Sequence, residues 1–409
     1  MSDVFGQGIF VTDGAAWKTT RQTTARIFNA NTFKNIVTPA LHETLSSFMD
    51  VLHMHANSGT VVEMDSLLHC YTLESFVKMT FSRDMGSLRG RITNHKEEPF
   101  AEAFDYVQKQ LDLRFIFTAI AIPLGRFLGS RPKMVKARQT LENYAYELID
   151  SRAANPEKEN CSHKDLLGLF MSFTDEKGVY MSRSELKDAA LNLIIAGRDT
   201  TAQALSWTFF HLIRNPTVVE QMRVEIEQLL TSKDELIDYS NYKQFTQTLA
   251  VFYEALRLHP SVPKNAKFAI DHDKLPNGPL VEPGDCLRWS DWQMARDPNL
   301  WGPDCSDFKP SRWIDENGAL RQFGQWKFHA FNGGPRICIG MHLATLEAVA
   351  CLVHVVRTFD LEFEPGWFKK VPKIFKISPE STEQTPRYAA SLTLPMAQPM
   401  KLLVHRRQV

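Results

Sequence analysis

Apolar residues recur along most of this chain at helical rather than strand spacing, and the longest such stretch, residues 182–214, carries its own start and stop signals. Ser182 and Glu185 form a Ser-x-x-Glu capping box, and Asn215-Pro216 closes the far end. Leu191, Leu193, Ile194, Ile195, Ala196, Leu205 and Trp207 crowd nearly every side of its middle. The pattern therefore predicts a helix that crosses the whole molecule with both flanks buried. Further helices are expected over residues 15–28, 100–111, 134–152, 218–230, 242–257 and 341–359, and strands over 267–270, 285–289, 391–395 and 402–405. The fold class is mainly α with a minor sheet.

Composition narrows this picture in three ways. With 409 residues and no internal repeat, low-complexity tract or Gly/Ser linker, the chain reads as one continuous domain. Lys plus Arg equals Asp plus Glu at 47 each, so no bulk field recruits nucleic acid. The six cysteines are scattered without a Cys-x-x-Cys pair, as reduced thiols are. No run of 18 apolar residues occurs; the most apolar segment, 115–124, is flanked by Arg114 and Arg126 and is too short to span a bilayer. Core packing or a shallow dip into a membrane surface is the expectation there.

Two stretches carry candidate chemistry. Before the expected helix at 341 stands Phe331-Asn332-Gly333-Gly334-Pro335-Arg336-Ile337-Cys338-Ile339-Gly340. Its glycines permit a tight turn beneath a flat ligand, a helix N-terminus would lower the Cys338 pKa and favour the thiolate, and Arg336 is placed to meet an anion on the ligand rim. Taken alone, the same string serves equally as a turn holding an inert cysteine. The second stretch is Ala196-Gly197-Arg198-Asp199-Thr200-Thr201, a poor set of residues for a helix interior. A Thr200 hydroxyl bonded to the Ala196 carbonyl would open a polar groove inside apolar surroundings. A solvated Arg-Asp pair on the surface is the alternative, disfavoured by the apolar residues on both sides.

The ten-residue string resembles the Phe-x-Gly-Gly-x-Arg-x-Cys-x-Gly haem loop of the cytochrome P450 family, with every fixed position matched, and the second stretch resembles that family's [Ala/Gly]-Gly-x-Asp-Thr-Thr motif. The resemblance runs in order from Phe5 to Arg407 and implies a single haem domain over residues 1–409, a helical bundle with a long central helix and a small sheet subdomain. It implies haem b with Cys338 as axial iron ligand, Phe331 shielding the sulfur, and Asp199 and Thr200 delivering protons and binding oxygen. Ala196 stands where some lipid-hydroxylating relatives have a Glu esterified to haem, so non-covalent attachment is expected. Trp17 and Arg21, four apart on one helical face, together with Lys267 and Arg336, correspond to propionate partners. Glu254, Arg257 and Arg312 correspond to a buried charged triad with a structural role. Asn265 stands where the family usually has Asp.

The resemblance further implies a monooxygenase using O2 and an external NADPH-dependent flavoprotein reductase docking near Lys18; no Gly-x-Gly-x-x-Gly nucleotide loop is found in the chain. The Val262-Pro263 segment is most similar to fatty-acid and alkane hydroxylases, with Leu193, Ile195, Pro263, Ala266, Leu392 and Thr393 as expected apolar pocket walls. A fatty-hydroperoxide isomerase or dehydratase and an inactive truncated paralogue are the alternatives. Family members from eukaryotes carry a membrane anchor, first helices and strands ahead of the Trp17 helix, and sit on the cytosolic face of the endoplasmic reticulum; none of those segments precedes Trp17 here. A truncated gene model or a shortened paralogue is expected, with unpaired strand edges as the consequence.

Overall fold

The computed structural model describes residues 2–93, 99–116, 132–154, 165–174, 178–232, 235–374 and 384–408. The apolar segment 115–124 lies almost wholly outside them. The central helix is Arg183–Arg214, and both halves of the capping box form: the Glu185 amide donates to the Ser182 hydroxyl, and the Ser182 amide to the Glu185 carboxylate at 2.7 Å. Around it pack Met64–Phe81, Pro132–Ala154, Thr246–Leu258 and Met341–Thr358, and Thr38–Ser58 packs in turn on Met64–Phe81. One contiguous core joins these helices.

Two of the long helices fall outside the set expected from sequence, for different reasons. Thr38–Ser58 has a readable stripe (Leu41, Leu45, Phe48, Leu52) and ends at Gly59 in the left-handed region, φ 64°. Met64–Phe81 is buried on almost every side, so it shows no polar face for periodicity to detect. Met341–Thr358 is apolar and long enough to cross a membrane by length and composition, yet 67% of it is buried within the fold, as a core helix is.

The sheet is small and divided. Val62–Glu63, Lys401–Arg406 and Phe359–Phe363 form one antiparallel layer, with Val62 opposite Leu402 and Phe359 opposite Arg406. Lys264–Phe268 pairs with Cys286–Ser290, and nearby Phe268, Ile270 and Leu280 stay exposed, an apolar edge of the kind folds ordinarily pair or cover. The strand expected over 391–395 does not form. Its backbone is engaged by the central helix instead: the Leu394 amide donates to the Gln203 side chain at 2.9 Å, and the Trp207 indole donates to the Leu394 carbonyl at 2.8 Å. The expected helix over 242–257 also divides, into a 3-10 turn Tyr242–Gln244 and the helix Thr246–Leu258.

Candidate functional site

From Leu186 to Leu212 the central helix is buried except at Ala189, Ile195, Ala196 and Thr200, which keep accessible surface. Ala196 and Thr200, one turn apart, share a face with Ile195 at its edge, so the three line a recess in an otherwise enclosed helix. Thr200 Oγ1 donates to the Ala196 carbonyl at 2.7 Å, and the Thr200 carbonyl accepts from Ser261 Oγ at 2.8 Å. A hydroxyl and two engaged carbonyls thus stand at an apolar wall. Gly197 faces away from the recess: a Cβ there would collide with the Phe76 ring, so its absence lets Met64–Phe81 pack close. Across that contact Thr72 Oγ1 lies 2.9 Å from the Arg198 carbonyl.

Asp199 is buried in a line of charged groups. Its Oδ1 lies 3.3 Å from Arg198 Nη1 and 3.9 Å from His69 Nε2, while the other Arg198 amine meets Asp105. Such pairing is what makes a buried carboxylate tolerable.

Cys338 lies between the turn Gly334–Arg336 and the N-cap Gly340 of Met341–Thr358. The turn needs positive φ at Asn332 (65°) and Gly334 (66°), and the Cys338 amide closes it on the Phe331 carbonyl at 2.7 Å. Cys338 as a residue keeps accessible surface, yet enough protein surrounds its thiol for desolvation to raise its pKa. Accessible and crowded together describe the wall of a recess rather than a convex surface. The sequence reading expected the helix N-terminus to lower that pKa. The Gly340 amide and Arg21 do act in that direction, but burial outweighs them. A thiolate here calls for a cation stronger than those donors, which a metal supplies.

The two halves of the site are brought together by residues 5–13. Asn192 Nδ2 donates to the Phe5 carbonyl at 2.9 Å, the Gln7 amide donates to Asp188, and a Cβ on Gly8 would strike Asn192. The next residue, Ile9, offers its carbonyl to Arg336 Nη1 at 3.5 Å. Arg336 is therefore one residue's reach from Asn192, one helical turn before Ala196. Its other amine binds the Thr12 carbonyl and the Asp13 carboxylate, at 3.2 and 2.6 Å, and its guanidinium stacks 4.1 Å from the Trp17 ring. Arg21 is close enough to Arg336 and Cys338 to feel both charges. Trp17, Arg21, Arg336 and Cys338 thus converge, and the Asp13 carboxylate shows that the cluster holds an anion. Lys267 does not join them: it is exposed, opposite Leu287, with no ion pair among the described residues. A thiol lining a recess, a cationic rim with an indole donor, and an apolar helix face carrying one alcohol fit an anionic iron porphyrin.

Behind the loop, Glu254 is fully enclosed and accepts from Arg257 twice and from Arg312 once, all at 2.8 Å, as well as from the Trp313 indole at 2.9 Å. Burial alone would raise its pKa, but Arg257 and then Arg312 hold it below the usual range. The replacement of Asp by Asn265 finds its reason here: Asn265 Nδ2 donates to Asp291 Oδ2 at 2.6 Å while His329 holds the other oxygen at 2.7 Å. A carboxylate at 265 would repel Asp291.

Of the expected pocket walls, Ile195 faces the recess and Pro263 follows Ser261 beside Thr200. Leu193 is buried, and the Thr393 hydroxyl is committed to Gln203 at 2.8 Å. Leu392 adjoins it, and Ala266 is exposed on its strand. A separate recess of about 380 Å³ at the C-terminal end of the central helix, between Phe209, Arg223, Val356 and Asp360, shares no residue with this site. Its Arg223 is already paired with Glu220 and Asp360, so it is a packing groove. Sequence reasoning missed His69, Asp105, Asp188 and Asn192. A single polar residue inside a helix carries no motif; only the stripe 188, 192, 195, 199 on one face was there to be read.

Comparison with known proteins agrees with this geometry. The cytochrome P450 family model matches residues 2–383. The chain is 41% identical to cytochrome P450 monooxygenase cyp1 of Mycosarcoma maydis over 98% of its own length, and 31% identical to cytochrome P450 86B1 of Arabidopsis thaliana over 91%. It spans 62% and 69% of those relatives. Among solved structures, the cytochrome P450DA heme domain superposes with a TM-score of 0.80 at 20% identity, covering 100% of this chain and 81% of that one. Fold, motif order and overall match leave one assignment: this chain belongs to the cytochrome P450 family.

Proposed function

We propose that the chain is the haem-binding part of a monooxygenase that inserts one oxygen atom from O2 into a C–H bond of a lipophilic substrate. The observation that carries this is the accessible notch of Ile195, Ala196 and Thr200 in a buried helix, reached by the loop of Cys338 through residues 8 and 9. Cys338 would hold haem b through its sulfur, with Trp17, Arg21 and Arg336 at the propionates; Phe331 and Gly340 shape the sulfur's surroundings. When bound, the haem supplies the oxygen activation that no side chain here provides. Thr200 offers a hydroxyl at the notch, and Asp199, one residue away, would pass protons toward it. The acyl or alkyl chain of a fatty acid or alkane suits the apolar wall, and terminal hydroxylation is the reaction proposed. Single electrons would come from an NADPH-dependent flavoprotein reductase, and the site of action would be the cytosolic face of the endoplasmic reticulum, against the membrane surface.

The test is spectroscopic first. Full-length protein loaded with haem, reduced under carbon monoxide, shows the thiolate-type absorption band, Cys338→Ala loses it, and Cys351→Ala keeps it. Given reductase, NADPH and a long-chain fatty acid, the wild type then forms a hydroxylated product. Absence of the band in wild type overturns the reading and leaves an inactive paralogue; rapid turnover of a fatty hydroperoxide without reductant replaces it with an isomerase.

A further inference from the structure

His69 is the one imidazole near Asp199 among the described residues, and its orientation is fixed. Its Nδ1 lies 2.7 Å from the Asp65 backbone carbonyl. A carbonyl oxygen only accepts, so Nδ1 must carry the hydrogen. The nitrogen that gains and loses a proton is therefore Nε2, and Nε2 is the atom facing Asp199 Oδ1 at 3.9 Å. Side-chain exposure rises outward along this line, from 9% at Asp199 to 22% at His69. Among the described residues Asp199 has no second outlet of this kind, because its other neighbour, Arg198, is a permanent cation held by Asp105.

We propose that His69 is a relay and positioning residue that takes protons from solvent and hands them to Asp199. This rests on the reading of Asp199 as the group that delivers protons beside Thr200. In the step itself, the Nε2–H bond of the imidazolium breaks and an O–H bond forms on Asp199 Oδ1. The ring is left neutral with its Nδ1–H still donated to the Asp65 carbonyl, and a hydronium proton from solvent then returns to Nε2. Closing 3.9 Å to hydrogen-bond distance takes about 1 Å of side-chain movement or one bridging water. The charged groups around the ring are Asp65 on its own helix, and Asp199 and Arg198 on the central helix, with Asp105 beyond. Arg91, from the short helix Ser87–Thr93, binds Ser66 and Cys70 beside it.

Two measurements on the haem-loaded full chain test this. In the diamagnetic reduced carbonyl form with 15N-labelled histidine, the neutral His69 ring, assigned by its loss in His69→Gln, shows the Nδ1–H tautomer, and Asp199→Asn shifts its Nε2 signal. An Nε2–H tautomer overturns the proposal. In turnover, His69→Gln keeps a polar group of similar reach but cannot carry a proton, so a merely structural role would survive it. The relay predicts that the share of NADPH electrons reaching product falls about tenfold in His69→Gln and in His69→Phe, with hydrogen peroxide rising to match, while the thiolate-type band is kept. Asp199→Asn falling while both His69 variants match wild type refutes the relay and spares Asp199. Asp199→Asn matching wild type removes the reading beneath it.

Discussion

Glu347 is a carboxyl with no cation beside it among the described residues. It sits on the helix that follows Cys338, is fully buried, and neither oxygen has a well-formed hydrogen bond; among the described residues Ser75 is the one side chain near enough to oppose the effect of burial. Burial pushes its pKa from 4.5 to about 8. Because the folded state then holds a proton that the unfolded chain has lost, stability falls as pH rises from 4.5, and the fall ends near 8. At 1.36 kcal/mol per pH unit the loss is about 3 kcal/mol by pH 7 and about 5 kcal/mol above pH 8. Glu347→Gln cannot ionise and does not share that slope. Its buried amide, as poorly partnered as the acid, makes the variant equal to or slightly less stable than wild type at pH 5. Urea unfolding of the haem-loaded proteins, followed by far-ultraviolet circular dichroism at pH 5 and 8.5, compares the two. The stability difference between variant and wild type is expected to move by about 4 kcal/mol in favour of the variant between those pH values. A movement under about 1 kcal/mol refutes the reasoning and means that the carboxylate has partners when charged.

Arg312→Leu leaves the enclosed Glu254 with Arg257 as its one cation and is expected to cost about 3–5 kcal/mol in the same urea assay; a cost below about 1 kcal/mol means the remaining pair and neutral donors suffice. Gly197→Ala sets a methyl into the Phe76 ring and is expected to cost about 1–3 kcal/mol. Combined with Phe76→Ala the glycine change should cost much less, and strict additivity of the two would show that they do not share the contact.

The capping box, the hydroxyl of Thr200 on Ala196 and the order of the motifs were legible because each is a local event. A Ser three residues before a Glu, or a Thr four residues after a carbonyl, meets its partner within one helical turn. The Glu254 cluster was half legible in this sense: Arg257 lies one turn from Glu254, whereas Arg312, Trp313 and the Lys309 amide arrive from more than fifty residues away. The strand expected at 391–395 failed because a β-like pattern says nothing about Gln203 and Trp207, whose side chains take the backbone groups a neighbouring strand would have used.

The same distinction explains why His69 was invisible and Asp199 was not. Asp199 interrupts an apolar helix, and a charged residue in such a place is conspicuous from sequence alone. His69 lies on Met64–Phe81, which is buried by neighbours on nearly every side, so its polar residues look like scattered exceptions until the fold supplies their partners. Gly197 connects the two cases. It is conspicuous as a poor helix former, and its purpose is to bring that second helix near enough for Phe76, Thr72 and His69 to reach the central helix. A glycine whose cost is spent on close approach predicts that something across the interface needs to be close. Here that something is a line of polar groups leading from the surface to Asp199, and lengthening the approach by Gly197→Leu should weaken the His69–Asp199 pairing even where Thr200 still bonds Ala196.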